Sequence, residues 1–273
     1  MLLAHQFVQH EVAAPKHWIV FLHGVLGRGA NWQGFARKLV TARPELGALL
    51  VDLRMHGESQ GMPPPHTFDA ATNDVLQLLD AALRKPLLAV VGHSFGGKVV
   101  MTLLDKRPEL AREAWVLDAS PSERATRDDQ DSTQRVFDAL RALPPTFESR
   151  NAFADALTAD GIAPALGLWL AKNLVREGTS LRFGLDLEAI ATLLADHDLQ
   201  NRWPIVESPK RKAKLRFVLG GRSTTISLAD RARLTALADQ GVLELMELPK
   251  AGHWVHADDP EGLHALLEQR LGR

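Results

Sequence analysis

The sequence predicts an α/β domain built on a doubly wound, mostly parallel sheet. Short apolar runs alternate along the chain with longer segments of helical periodicity. The runs lack the apolar–polar alternation of a sheet with one wet face, so we expect helices to cover both faces. The predicted strands are residues 17–22, 48–53, 87–91, 114–118, 215–219 and 242–248. The predicted helices between and after them are residues 32–41, 67–83, 97–106, 228–238 and 260–271.

One interval interrupts this alternation. Between Ser120 and Pro209 no convincing strand is present, and apolar residues recur at helical spacing, as in FADALTADGIAPALGLWLAKNLV. We therefore predict a helical cap of residues 120–209, inserted into a core of residues 1–119 and 210–273. The cluster of Asp128, Asp129 and Asp131 is interpreted as a solvated loop or helix start, because no metal-ligand pattern surrounds it.

The bulk composition narrows the classes of partner. The formal net charge of the 273 residues is −1, which does not favour nucleic acid or an anionic membrane. There are 0 cysteines, which excludes disulfides and thiol catalysis. The N-terminal stretch MLLAHQFVQHEV lacks the features of a signal peptide, and no apolar run approaches the ~20 residues of a membrane helix. We expect a cytoplasmic protein, monomeric or homodimeric.

The stretch LLAVVGHSFGGKVVMTLL predicts strand, sharp turn and helix, with a serine at the turn. In that context Gly-x-Ser-x-Gly is a nucleophile elbow, which exposes the hydroxyl of Ser94 at the carboxyl end of the sheet. Gly92 and Gly96 are expected where a Cβ would clash between strand and helix. A Walker phosphate loop is disfavoured, because GGKVV has no hydroxyl after its lysine.

A serine nucleophile needs a general base, and the predicted base is His253. It follows Gly252 in the loop after the last predicted strand, and so lies at the same carboxyl edge of the sheet. His256 is a rival three residues further on. We expect its side chain to lie at the start of the final helix and to face elsewhere.

The acid that would orient His253 is predicted to be Asp118. The segment GGRSTT, which follows the strand at 215–219, contains no carboxylate. The preceding strand ends at Asp118, which could orient His253 from the neighbouring carboxyl end. Asp118 could instead cap the loop toward Ser120. Asp230, interpreted as part of a surface helix, is the alternative acid.

The oxyanion site is predicted from FLHGVLGRGANW, a strand followed by His23, Gly24 and a glycine-containing loop. Such a loop supplies one backbone N–H in this kind of site, and the residue after the nucleophile supplies the other. The expected donors are therefore the amides of Val25 and Phe95.

Together these motifs resemble the α/β-hydrolase superfamily: HGVLG, DLRMHGES, GHSFGGKVVM and KAGHWVHADDP. The cap sequence LAKNLVREGTSLRFGLDLEAI and the strand end VLDASP are similar to small bacterial acyl-ester esterases of the YbfF type and their mitochondrial relatives. The resemblance spans nearly the whole chain. One departure is that the cap of that group carries Trp-Arg where this chain has Leu181 and Arg182, so we expect a different pocket.

The resemblance implies an α/β-hydrolase fold with a helical cap, and hydrolysis of acyl esters or thioesters without a cofactor or metal. No charged cluster is evident near Ser94 in the sequence, so a neutral, short to medium acyl chain is expected under an apolar cap. The open alternatives are a perhydrolase or haloperoxidase, a carbon–carbon bond hydrolase on the same triad, and a non-catalytic ligand-binding protein. Dehalogenases and epoxide hydrolases use an aspartate nucleophile, against which Ser94 argues.

Overall fold

The computed structural model describes residues 1–83, 87–124 and 132–272, so the cluster of Asp128, Asp129 and Asp131 lies outside the described residues. Seven strands form one sheet in the order β1-β3-β2-β4-β5-β8-β9. Within it β1 pairs antiparallel with β3, and every other pair is parallel. The strands in the described residues are β1 His5–Val8, β2 His17–Leu22, β3 Leu46–Val51, β4 Leu87–His93, β5 Ala111–Leu117, β6 Leu174–Glu177, β7 Ser180–Phe183, β8 Lys214–Gly220 and β9 Glu244–Leu248.

Helices cover both faces of this sheet, as its doubly apolar strands predict. Two buried apolar clusters use alternate residues of the same strand: Ile19 and Phe21 belong to one, Val20 and Leu22 to the other. The first packs against α1 and α11, and the second against α2 and α3. The helices are α1 Gln33–Ala42, α2 Phe68–Ala82, α3 Phe95–Lys106, α4 Ser132–Ala142, α5 Arg150–Ala159, α6 Pro164–Leu170, α7 Leu187–Asp198, α8 Trp203–Val206, α9 Leu228–Asp239, α10 Val255–Asp258 and α11 Pro260–Arg270.

The six predicted strands of the main sheet are confirmed, with ends that shift by a few residues. The edge strand β1 was not predicted, because it has four residues and three of them are exposed. Its antiparallel pairing with β3 needs no apolar run on both faces.

The chain between β5 and β8, residues 120–209, is called the inserted segment below. Its described part contains α4 to α8, as its helical periodicity predicts. The expectation that it contains no strand is wrong, because β6 and β7 form an antiparallel hairpin. Each of these strands has four residues, most of them partly or fully exposed, and Gly178 turns between them at φ +62°. Such short, wet strands lack the apolar run from which strands were predicted.

Candidate active site

Ser94 stands at the turn between β4 and α3, at the carboxyl edge of the sheet. Its backbone has φ 52° and ψ −117°, a conformation that L side chains rarely adopt. The turn is tight on both sides, as predicted for its glycines. A Cβ on Gly92 would lie 2.2 Å from the carbonyl oxygen of Gly96, and one on Gly96 would lie 2.6 Å from that of His23. The strained turn therefore depends on those two glycines.

His253 and Asp118 complete a continuous hydrogen-bonded chain with Ser94. The Nε2 atom of His253 lies 3.1 Å from Ser94 Oγ, and its Nδ1 atom lies 2.7 Å from Asp118 Oδ2. Asp118 directly follows β5, is fully buried, and has φ 44°. Because a carboxylate only accepts, Nδ1 carries the proton and Nε2 is left to accept the serine proton.

Asp118 accepts hydrogen bonds from the segment GGRSTT, which begins at the last residue of β8. Because this segment has no carboxylate of its own, the acid was predicted at Asp118. The N–H of Gly220 donates to its Oδ1 at 2.9 Å, and the Ser223 hydroxyl donates to its Oδ2 at 2.5 Å. The end of β8 thus supplies donors to an acid that stands at the end of β5. The role of Ser223 was not predicted, because a lone serine in GGRSTT gives no signal of a partner 105 residues away.

The two rival residues lie apart from this chain. His256, on α10, packs its ring against that of Trp32, with 4.5 Å between the ring centroids. Asp230 accepts from the hydroxyls of Ser120 at 2.5 Å and Ser122 at 2.7 Å. Asp230 does lie on a largely exposed helix, α9, as interpreted, but its own side chain faces inward, and only 8% of the residue is exposed. Its burial was not predicted because the two hydroxyls that bury it come from a distant loop.

His93, between Gly92 and Ser94, supports the histidine loop. Its Nε2–H donates to the carbonyl of His253 at 2.8 Å, and the two imidazole rings lie 4.7 Å apart. Burial lowers the pKa of His93 well below its usual value, so it stays neutral and keeps this tautomer. The motif itself gave no sign of this contact, because it allows any residue at that position.

The two expected oxyanion donors, Val25 and Phe95, line a cavity that Ser94 also lines. Within the described residues neither backbone N–H has a hydrogen-bond acceptor. The orientation of the Val25 amide is fixed by the other end of its peptide: the Gly24 carbonyl accepts from the Gly27 N–H at 3.0 Å and from His23 Nδ1–H at 2.7 Å. Since N–H and C=O of a trans peptide point in opposite directions, these bonds hold the Val25 N–H on the opposite side.

His23 and His56 join the loop after β2, which carries the expected oxyanion donor Val25, to the loop after β3. The Leu53 N–H donates to His23 Nε2 at 2.9 Å, and the Leu26 N–H donates to His56 Nε2 at 3.0 Å. Both rings must be neutral to accept these bonds. Burial lowers the pKa of His23 to about 4 and that of His56 to about 3, which keeps them neutral near pH 7. Both residues stood in motifs of the sequence, but their reciprocal contacts were not predicted.

Two cavities open beside Ser94 and His253. The smaller, here the apolar lobe, has a volume of about 110 Å³ and is lined mainly by apolar groups, among them Val136, Leu166, Trp169, Leu170 and Trp254. The rings of Trp169 and Trp254 lie 4.6 Å apart, so the inserted segment contacts the core directly above the histidine loop. The apolar lobe matches the expectation of apolar cap residues beside the serine.

The larger cavity, here the polar lobe, has a volume of about 600 Å³ and is lined mainly by hydroxyl and charged groups. The expectation that no charged cluster faces Ser94 is therefore wrong. Its charged lining includes Lys98, Glu123, Arg124, Asp198 and Asp230. These residues are scattered over more than 130 positions of the sequence, and only the fold brings them together.

With this geometry in place, the comparisons with known proteins decide the family. The sequence profile described as "Alpha/beta hydrolase family" matches residues 19–266. The chain belongs to the alpha/beta hydrolase family. This hydrolase is 30% identical over 262 residues to the mouse protein "sn-1-specific diacylglycerol lipase ABHD11", covering 95% of the chain and 81% of the relative. It is also 30% identical over 267 residues to "Lipase LipV" of Mycobacterium tuberculosis, covering 93% of each.

A solved structure titled "Marine microorganism esterase" has the same fold as this hydrolase. It superposes with a TM-score of 0.82 at 21% identity, covering 98% of each chain. The family match and the lipases similar to this chain identify it as a serine hydrolase. The family match and the solved structure confirm the predicted α/β-hydrolase fold. No helix in residues 1–83, 87–124 and 132–272 is long and apolar enough to cross a membrane.

Proposed function

We propose that this hydrolase cleaves carboxylic esters through an acyl-enzyme intermediate on Ser94, with His253 as general base and Asp118 as the residue that orients it. One observation carries the proposal: the unbroken chain from Ser94 Oγ to His253 Nε2 and from His253 Nδ1 to Asp118 Oδ2. This is the arrangement by which an adjacent base activates a hydroxyl that is otherwise a weak nucleophile.

The proposed reaction has two halves. As Ser94 Oγ attacks the acyl carbon, its proton passes to His253 Nε2, and the carbonyl oxygen becomes an oxyanion between the N–H groups of Val25 and Phe95. His253 then gives that proton to the departing alcohol oxygen, and the acyl group stays on Ser94. A water molecule then attacks the acyl carbon while one of its protons passes to His253 Nε2. As the bond between Ser94 Oγ and the acyl carbon breaks, His253 gives that proton to Ser94 Oγ and the carboxylic acid is released.

The two lobes support an ester with one apolar and one polar side. About 110 Å³ corresponds to roughly four water volumes, which suits a short acyl chain in the apolar lobe. The polar lobe then receives the leaving alcohol. The names of the relatives, a diacylglycerol lipase and a lipase, agree with ester substrates. A thioester would follow the same steps, with a thiolate as the leaving group.

We further propose that the inserted segment acts as a cap that sets acyl length. It contributes Val136, Leu166, Trp169 and Leu170 to the apolar lobe. Leu166 stands on α6, away from the hydrogen-bonded chain, so it can be changed without touching the chemistry.

The test is the rate of hydrolysis of p-nitrophenyl esters from acetate to palmitate, alongside acyl-CoA thioesters. We expect kcat/KM to peak at butyrate or hexanoate and to fall steeply toward palmitate. The variant Leu166→Trp, which narrows the lobe, should move the peak to shorter chains, and Leu168→Trp on the exposed side of α6 is the matched control. A peak at palmitate would contradict the assignment of the lobe. Rapid cleavage of diketones with no ester turnover would favour the carbon–carbon hydrolase instead.

A further inference from the structure

Lys98 is a buried lysine that the proposed mechanism does not use. It stands one helical turn after Ser94 on α3, and only 3% of it is exposed. Its Nζ donates to the carbonyls of Ser122 at 2.9 Å, Gln200 at 3.1 Å and His197 at 3.3 Å. An ammonium has three N–H donors, so these carbonyls occupy all of them. Lys98 therefore has no free donor for an anion, although it lines the polar lobe.

These carbonyls belong to the two end stretches of the inserted segment, residues 120–124 and 197–203, here called its connections. Ser122 lies shortly after β5, and His197 and Gln200 lie at the C-terminal end of α7, ahead of α8 and β8. Arg202 adds a second tie on the returning connection, because its Nε donates to Thr102 Oγ on α3 at 2.8 Å. The helix that begins at the nucleophile thus holds both ends of the inserted segment.

Lys98 is connected to the proposed reacting centre through the C-terminal end of α7. Its ammonium lies at the C-terminal end of α7, where a helix favours positive charge. At the same end, the ring of His197 stacks on Phe95, with 5.1 Å between centroids and planes 23° apart. Phe95 provides one of the two proposed oxyanion donors, and His197 lines the polar lobe. A shift of the α7 end would therefore move a wall of the cavity and a support of the oxyanion site.

We propose that Lys98 is a positioning residue: its ammonium clamps both connections of the inserted segment to the nucleophile helix, and so fixes the polar lobe and Phe95 for catalysis. The clamp itself is read from the contacts. Its effect on turnover rests on the proposed ester hydrolysis.

The charge state of Lys98 gives the clamp a pH dependence. Burial lowers the pKa of Lys98 to about 8, opposed by Asp198 and Asp230 and aided by Arg202 and Arg124, the charged groups that face it. A neutral amine has two N–H donors for three carbonyls, and its lone pair then faces a carbonyl oxygen. The clamp should therefore loosen as the pH rises through the pKa.

The first test compares Lys98→Met, which keeps the length of the side chain without its donors, with Lys106→Met. Lys106 is on the same helix and pairs at the surface with Asp69 at 2.5 Å. With p-nitrophenyl butyrate we expect Lys98→Met to lower kcat/KM by about 10-fold through misplacement of the cavity wall, and Lys106→Met to leave it unchanged. Wild-type kcat/KM should fall above about pH 8, and Lys98→Met should lack that step.

The second test needs no activity. Hydrogen–deuterium exchange of residues 120–124 and 197–203 should be faster in Lys98→Met than in Lys106→Met, because the clamped connections open more often. If Lys98→Met does not fold, Arg202→Gln should show the same acceleration to a smaller degree, and the wild-type pH profile still reports on Lys98. If the connections in Lys98→Met exchange at the wild-type rate and its kcat/KM still falls at alkaline pH, the proposed clamp is wrong. Faster exchange in a protein without ester turnover would instead contradict the proposed function and leave the clamp standing.

Discussion

The carboxyl edge of the sheet and the inserted segment enclose the same cavities, but they are held in place very differently. At the sheet edge two residues of the proposed triad are held by hydrogen bonds from the core: Asp118 by Gly220 and Ser223, and the His253 loop by His93. The inserted segment is joined to the core by two connections, which Lys98 grips through three carbonyls. In the proposed mechanism, the sheet edge positions the reacting groups and the inserted segment selects the substrate.

This difference predicts a gradient of effects. Substitutions at the sheet edge should lower kcat by orders of magnitude, because they remove groups that act on the transition state. Substitutions in the inserted segment should change substrate preference and KM by smaller factors.

The largest loss is expected for Ser94→Ala. Without the hydroxyl no acyl-enzyme can form, and kcat for p-nitrophenyl butyrate should fall by about 10⁵- to 10⁶-fold. Circular dichroism should be unchanged, since alanine also fits at the turn. Activity above a small fraction of wild type in the folded variant would mean that another group is the nucleophile.

The next effect distinguishes the two buried carboxylates. Asp118→Asn should lower kcat by about 10⁴-fold, because an amide NH₂ facing Nδ1 selects the wrong imidazole tautomer. Asp230→Asn, which changes a carboxylate bound to Ser120 and Ser122, is the matched control and should lose far less. Steady-state kinetics of both variants decide the matter. Equal small losses would remove Asp118 from the triad.

A smaller loss of kcat is expected when His23 is changed, because His23 holds the loop that carries the proposed oxyanion donor Val25. His23→Phe keeps a ring but cannot donate to the Gly24 carbonyl or accept from the Leu53 N–H. The Gly24 carbonyl then keeps only the bond from the Gly27 N–H, so the Val25 amide can turn more easily. We expect kcat to fall by about 100-fold, the lower range for loss of one oxyanion donor. His264→Phe, a buried histidine on α11, serves as the control. Equal kinetics in the two variants would contradict the role of His23.

The smallest expected effect is a loss of stability at acidic pH, because buried neutral histidines cluster near the carboxyl edge of the sheet. Burial lowers the pKa of His23 to about 4, and those of His56 and His256 to about 3. Between these values and the usual ~6.5, the unfolded chain binds protons that the folded chain does not. The free energy of unfolding is therefore full above about pH 6.5 and falls below it.

From pH 7 to pH 5 each such histidine should remove on the order of 1–2 kcal/mol. Urea unfolding at pH 7, 6 and 5 measures this, and His256→Phe should flatten the curve. A free energy of unfolding that stays constant over that range would show that these histidines protonate freely in the folded protein.

The same contrast explains which parts of the site the sequence could predict. Ser94 and His253 stand in short motifs that directly follow the strands β4 and β9, so local sequence places them at the sheet edge. The supports of those residues depend on contacts that span the chain: His56 accepts from a residue 30 positions away, and Lys98 donates to one 102 positions away. The β6–β7 hairpin was missed because its strands are short and mostly wet, and the burial of Asp230 because its partners come from a distant loop.

One hydroxyl, that of Ser94 activated by His253, is the proposed nucleophile of this hydrolase. The most direct test of this assignment is the intact mass of the protein after reaction with a fluorophosphonate, followed by mapping of the modified peptide. We expect one adduct per chain, located on Ser94 and absent from Ser94→Ala. An adduct on any other serine, or a folded wild-type protein that stays unlabelled, would contradict it.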